Sequence, residues 1–148
     1  MRTSLSVLAV LMLVASYGGA QQQQQPSVEV YKEATCGCCA MWVDHLRRNG
    51  FATTVKNVDD MDAVKARFGV PRQAESCHTA VVGGYVIEGH VPASDIKRLL
   101  AERPAVKGLA VPGMPIGSPG MEGAGAKPYN VFSFDAQGRP QVFSTQRP

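Results

Sequence analysis

From Val28 to Ala34 the chain reads Val-Glu-Val-Tyr-Lys-Glu-Ala, alternating apolar and polar residues as a half-buried strand does. Past this strand the period lengthens. From about Cys38 to Asn49, Trp42 and Leu46 lie four apart with Val43 beside them, while Asp44, Arg47 and Arg48 take the wet side. Asn49-Gly50 then supplies a C-terminal stop, so this segment is expected to be a helix. Phe51 to Val58, rich in Thr and Val, is expected to be a second strand. Asp59-Asp60 caps a helix expected over Met61 to Phe68, with Met61, Val64 and Phe68 as its buried stripe and Gly69 ending it. The runs Thr79 to Val82 and Tyr85 to Glu88, separated by Gly83-Gly84, form a hairpin. Pro92 then opens a helix in which Ile96, Leu99 and Leu100 face the core. The order β-α-β-α-β-β-α, closing near Arg103, is that of a thioredoxin-like α/β domain over residues 27–103.

Beyond Arg103 the pattern breaks. Eleven of the twenty-five residues from Pro104 to Pro128 are Gly or Pro, so regular structure is not expected there. Tyr129 to Phe134 and Gln141 to Ser144 flank Asp135-Ala136-Gln137-Gly138 as a terminal hairpin. Residues 104–148 thus form a Gly/Pro/Met-rich extension ending in ordered strands. With both its ends tied, the segment Val111 to Glu122 is expected to lie across the domain.

The first residues read as an address label. Met1-Arg2 gives a basic start, Leu5 to Val14 an apolar run, and Gly18 and Ala20 small residues before a cut after Ala20. The run is shorter than the roughly 18 apolar residues a membrane span needs, so a cleaved signal peptide over 1–20 is expected and no span after cleavage. Residues 21–26, five glutamines and a proline, are expected to be a disordered spacer. Removing residues 1–20 takes away only Arg2 among the charges, so the net charge falls from +3 to +2. That surplus is weak, and no Lys/Arg run with interleaved aromatics accompanies it, which argues against nucleic acid as a partner. Export into an oxidising compartment permits disulfides, and thiols that must stay reduced there need protection, for example by a soft metal.

The chemistry concentrates in Thr35-Cys36-Gly37-Cys38-Cys39, which holds three of the four cysteines. The strand before it and the helix after it place these thiols at a helix N-terminus, where backbone N–H groups favour thiolate. Cys36 and Cys39 have the C-x-x-C spacing of thiol oxidoreductases. Cys38 complicates that reading, because a third thiol between the two competes in every exchange step. A metal reading uses all three. Adjacent helical residues point about 100° apart, so Cys38 and Cys39 do not easily converge on one tetrahedral ion with sulfur at about 2.3 Å. Several soft ions sharing bridging thiolates suit them better than a single structural zinc.

Cys77 lies where the third strand begins, in a loop that this architecture turns toward the first helix's N-terminus, which makes it a fourth thiolate candidate against the alternative of a core cysteine. Counting back from Gly84 puts His78 in the slot that such chains usually fill with a cis-proline, and imidazole there opens the site to a metal. His90 precedes the third helix at the same end of the sheet, as a ligand or a loop residue. His45 lies six residues past Cys39, about 9 Å along a helix axis, and is left to surface or packing along with Met41. Met114 and Met121 carry thioethers, which select Cu(I) among the common metals and form no disulfide.

Three segments together resemble one family. Tyr31 to Cys39, then Ser76-Cys77-His78 through Gly89-His90-Val91-Pro92, then Val111 to Glu122, are similar in content and order to the CopG-type periplasmic copper-resistance proteins of Gram-negative bacteria, which are unrelated to the DNA-binding repressors of similar name. The resemblance spans nearly all of the chain after residue 20. It implies a thioredoxin-like domain whose extension helps hold a copper cluster bridged by cysteine sulfur. It also implies periplasmic localisation, Cu(I)/Cu(II) interconversion during detoxification and export, and copper-efflux components as partners of a monomer. The expected metal ligands are Cys36, Cys38, Cys39, Cys77, Met114 and Met121, with His90 and His78 as further candidates. Three other readings stay open: a metal-free thiol-disulfide oxidoreductase using Cys36 and Cys39, a passive copper chaperone or store, and a structural zinc domain.

Overall fold

The structure is a computed structural model and describes residues 26–148. The expected signal peptide at 1–20, and all of the expected spacer but Pro26, lie outside the described residues.

Among the described residues, seven strands and three helices follow one another as β1 (Ser27–Lys32), α1 (Gly37–Arg48), β2 (Ala52–Asn57), α2 (Met61–Phe68), β3 (Thr79–Val82), β4 (Tyr85–Glu88), α3 (Ala93–Glu102), β5 (Gly108–Ala110), β6 (Tyr129–Phe134) and β7 (Pro140–Gln146). A single 3-10 turn at Arg72–Ala74 sits between α2 and β3. All the strands join one mixed sheet in the order β2-β1-β3-β4-β5-β6-β7. β1 and β2 run parallel, connected through α1, and β4 and β5 run parallel, connected through α3; the other neighbours are antiparallel. This is the α/β class that the alternation of periods predicts, with helix and strand limits within two residues of expectation for most elements.

The period-2 alternation sorts side chains onto two faces. On one face Val28, Val30, Ala80, Ile87, Leu109 and Val131 meet Trp42, Val43 and Leu46 of α1 and Ile96 and Leu99 of α3. On the other, Val86, Ala110 and Phe134 pack with Val70 and Ala74, and Phe68 of α2 leans on this smaller cluster. Full burial of one such aliphatic side chain stabilises the fold by roughly 1.5–3 kcal/mol, so the larger face dominates. α2 is capped as its sequence predicts: Asp60 accepts from the Ala63 N–H at 2.9 Å, and Gly69 ends the helix in the left-handed region.

Two expectations are corrected. Within the tract expected to be irregular, Gly108–Ala110 forms β5, inserted between β4 and β6. Three residues carry no periodic signal, and the strand exists because two longer neighbours offer it hydrogen-bond partners on both edges. In α2 the buried stripe runs through Met61 and Lys65, and Val64 is only half-buried. Lys65 goes inward because its ammonium meets the fully buried Glu88 carboxylate of β4 at 2.5 Å. Glu88 also accepts from Thr79 Oγ1 at 2.6 Å and from the Ser76 N–H at 2.7 Å.

Candidate metal centre

β1 ends at Lys32, and a turn closed by the Cys36 N–H on Glu33 O (3.1 Å) carries the chain into α1. Cys36 is the N-cap residue, Cys38 and Cys39 lie in the first turn, and no acidic side chain occupies that turn. From the loop before β3, Cys77 reaches the same place. The four Sγ atoms of Cys36, Cys38, Cys39 and Cys77 all lie within 4.8 Å of one another. Cys36 and Cys39 are joined as a disulfide, with Cα atoms 5.4 Å apart, while Cys38 and Cys77 are free thiols. Burial pushes the Cys77 thiol up to about 11, and the neighbouring Cys38 adds to that shift.

Two histidines stand behind Cys77. His90 Nε2 is 3.0 Å from Cys77 Sγ, and His90 Nδ1 is 2.7 Å from the carbonyl oxygen of Pro119. A carbonyl can only accept, so Nδ1 carries the proton and Nε2 turns its lone pair toward the sulfur. A histidine whose other nitrogen is fixed by a carbonyl is arranged as metal-ligating histidines are. Burial lowers the His90 pKa, against the opposing pull of the Pro119 carbonyl and Glu122, and so favours the neutral ring. His78 Nδ1 lies 3.4 Å from the same sulfur. Its ring is fully buried, tilted against Trp42 at a centroid distance of 4.3 Å and edge-on to His90 at 5.1 Å. Burial first, then the proximity of His90 and Lys65, holds its pKa well below the usual range. His78 Nε2 is a buried polar atom that has no hydrogen-bond partner among the described residues. Trp42 itself is anchored by its Nε1–H, which donates to Val91 O at 2.9 Å.

The Met-bearing segment folds over the thiols as a strap. Its entry is held where Val111 N–H donates to Glu88 O at 3.0 Å, Gly113 N–H to Glu75 O at 3.3 Å, and Ser76 Oγ to Gly113 O. Its far end is held at Gly120, which sits against the first turns of α1. A Cβ there would come within 2.7 Å of Cys38 O and 2.9 Å of Trp42 N, and φ is +86°, so both space and conformation require glycine. Between these anchors Met114 brings its Sδ to 4.0 Å from Cys38 Sγ while leaving half of its surface in solvent. Met121 is half-buried in a tight turn, where its N–H donates to Ser118 O and its O accepts from Gly117 N–H, each at 2.8 Å.

The structure therefore groups Cys36, Cys38, Cys39 and Cys77 in one sulfur cluster, and Cys77, His78 and His90 in a second cluster sharing that thiol. His45 stands apart and accepts the Ala93 N–H at 3.1 Å, a packing role. Sequence reasoning missed the Lys65–Glu88 pair under the Cys77 loop. Its signal was present: Lys65 lies four residues after Met61, on the stripe that a helix buries, and Glu88 ends an apolar strand.

The donors fit a soft cation. Two atoms that each bind one ion at about 2.3 Å cannot be more than about 4.6 Å apart. Cys36 Sγ to Cys38 Sγ (3.7 Å), Cys38 Sγ to Met114 Sδ (4.0 Å) and Cys77 Sγ to His90 Nε2 (3.0 Å) all meet that limit. Thiolate, thioether and imidazole together exclude a hard-cation site of the magnesium or calcium kind.

Fold and site define a mixed α/β protein with a cysteine cluster that could bind metal. A family model described as "Protein of unknown function, DUF411" matches residues 74–121. Two solved structures are similar over most of the chain. "Copper resistance protein copG- Form 2" is 45% identical, with a TM-score of 0.79, covering 84% of this chain and 100% of that one. "Copper resistance protein copG- Form 1" is 44% identical, with the same TM-score of 0.79 and coverage of 84% and 100%. No curated protein matches. The chain belongs to the CopG copper-resistance protein family.

Proposed function

We propose that this protein binds copper in the periplasm as part of copper resistance, holds it in a thiolate-bridged and multinuclear form, and interconverts Cu(I) and Cu(II). Copper is its cargo and substrate. Cys36, Cys38, Cys39 and Cys77 would supply thiolates when reduced, Met114 and Met121 thioethers from the strap, and His90 and His78 imidazole nitrogen. The reading rests on one observation above all: four Sγ atoms within 4.8 Å of one another, drawn from the N-terminus of α1 and from the loop before β3. Thiolates and thioethers favour Cu(I) over the harder divalent ions. The proximity of Met114 to Cys38 favours copper over a structural zinc site, for which a thioether is an uncommon ligand. On this reading, residues 27–103 are a thioredoxin-like domain, supported by the β2-β1-β3-β4 order with α1 crossing between the parallel pair, and residues 104–148 are its metal-binding extension. A copper-efflux component receives the metal from the monomer.

Anaerobic Cu(I) titration of the fully reduced chain, with metal analysis after desalting, tests this. Cu(I) should be retained by the native chain, and Cys38→Ser should lower the number of ions held. A chain that retains no Cu(I), or an unchanged stoichiometry in Cys38→Ser, would count decisively against it.

The Cys36–Cys39 disulfide favours a second reading, a metal-free thiol-disulfide oxidoreductase. It predicts disulfide reductase activity on insulin that survives Met114→Ala and Met121→Ala. A passive copper store would share the ligands but show no absorbance change on cycles of reduction and reoxidation.

A further inference from the structure

The four clustered cysteines are not equivalent. Cys36 and Cys39 are already joined, whereas Cys38 and Cys77 keep free thiols. With the pair closed, a usable donor set still stands beside it: Cys38 with Met114 at 4.0 Å, and Cys77 with His90 at 3.0 Å. Cys38 Sγ is also 3.7 Å from Cys36 Sγ, so an ion held on Cys38 is within bonding reach of the sulfur that opens and closes. Cys38 cannot readily take the place of Cys36, because a bond between the adjacent Cys38 and Cys39 rarely reaches disulfide geometry; a Cys36–Cys38 bond in place of Cys36–Cys39 would count against Cys36 and Cys39 as the redox pair.

We propose that Cys36 and Cys39 are the internal two-electron reductant for Cu(II), and that Cys38, Cys77, His90 and Met114 form the seat that retains the Cu(I) produced. The proposal rests on the copper-binding reading and names the electron source for it. Two Cu(II) ions each take one electron from the sulfur pair. The Cys36–Cys39 bond forms, two Cu(I) ions result, and the two thiol protons leave to water. An external dithiol then reopens the pair by thiol-disulfide exchange, becoming a disulfide itself and returning a proton to each sulfur. Closing the pair also withdraws two thiolates from the donor set, so Cu(I) beyond what the seat can hold is released at each closure. The division of labour explains an arrangement that a simple C-x-x-C enzyme does not need: a third thiol and a thioether beside the redox pair.

The test starts from the fully reduced chain under nitrogen, with CuSO4 as the probe. Cu(I) is read with a chromogenic Cu(I) chelator, and the surviving thiols are mapped by alkylation and peptide mass. Two Cu(I) should form for each Cys36–Cys39 bond, with Cys38 and Cys77 remaining alkylatable after the copper is stripped. Cys36→Ser should slow Cu(I) formation at least tenfold. Bonds formed instead between Cys38 and Cys77 or between chains, or an unchanged rate in Cys36→Ser, would overturn the proposal. The thiol map is made on the native chain, so the result does not depend on the variant folding. Loading with Cu(I) directly separates the two levels. A chain that binds Cu(I) but leaves Cys36 and Cys39 reduced after CuSO4 sinks only this inference, whereas one that binds no Cu(I) sinks the site reading as well.

Discussion

His45 places a lone pair where α3 needs an acceptor. Pro92, the N-cap residue of that helix, provides no side-chain cap, and His45 Nε2 takes the Ala93 N–H at 3.1 Å instead. Burial lowers the His45 pKa, Arg48 lowers it further, and Glu122 opposes both. The bond needs the neutral ring, so its contribution is complete above the ordinary value of 6.5 and is lost as pH falls through the lowered folded-state value. His45→Ala is expected to cost about 1 kcal/mol at neutral to alkaline pH, the usual worth of a helix cap. The difference from the native chain should shrink in acid, which urea unfolding across a pH series would measure. Gly120 makes a second prediction at this scale. Gly120→Ala puts a methyl group 2.7 Å from Cys38 O at a φ of +86°, so the strap must lift. A cost of about 1–3 kcal/mol in stability is expected from the strained backbone. Cu(I) should also be lost to a competing chelator more readily than from the native chain. Neither role was legible in the sequence. His45 and Ala93 are 48 residues apart and Gly120 is one glycine among fifteen, so only the folded chain shows what each of them faces.

At the scale of elements, α2 and β4 are tied by an ion pair that also props the Cys77 loop. Glu88 accepts from Lys65 Nζ, Thr79 Oγ1 and the Ser76 N–H, and Ser76 Oγ donates onward to Gly113 O at the root of the strap. Burial alone raises the Glu88 pKa, and the Lys65 charge and the hydrogen bonds work against that rise. Removing one partner of a buried pair leaves the other uncompensated, which typically costs 3–5 kcal/mol. Lys65→Met is therefore expected to lower stability by roughly that amount. Glu88→Gln, which keeps acceptor and shape, is expected to cost less, as thermal unfolding of the two variants would show. A larger loss in Glu88→Gln than in Lys65→Met would contradict this account of the pair. The helices themselves were legible because their apolar periods and caps are local. The inward lysine was legible only as a place on the buried stripe of α2; its pairing with Glu88 was not, because that partner lies on a strand 23 residues away.

Across the whole molecule, the sheet does not stop at Arg103. β5, β6 and β7 extend it, and Leu109, Val111 and Val131 belong to the same apolar cluster as Trp42 and Ile87. β7 reaches back to α3, where Ser144 Oγ and Gln146 Nε2 donate to the Asp95 carboxylate at 3.0 and 2.8 Å. A chain ending at Arg103 would expose the β4 edge and strip those residues from the core. It is expected to lose its cooperative thermal transition, and a retained sharp transition in circular dichroism would refute that. The sequence by itself determined the alternation of strands and helices and the grouping of Cys36, Cys38 and Cys39, because period, capping and close spacing are properties of neighbouring residues; the family was visible only as a resemblance of three motifs in order. Only the tertiary structure decided that Cys77 joins that group with His90 against it in turn, that Met114 is the methionine brought to Cys38, and that Lys65 turns inward. Those contacts join segments from 13 to 76 residues apart, and the energies that select them come from burial and pairing that exist only once the sheet has assembled.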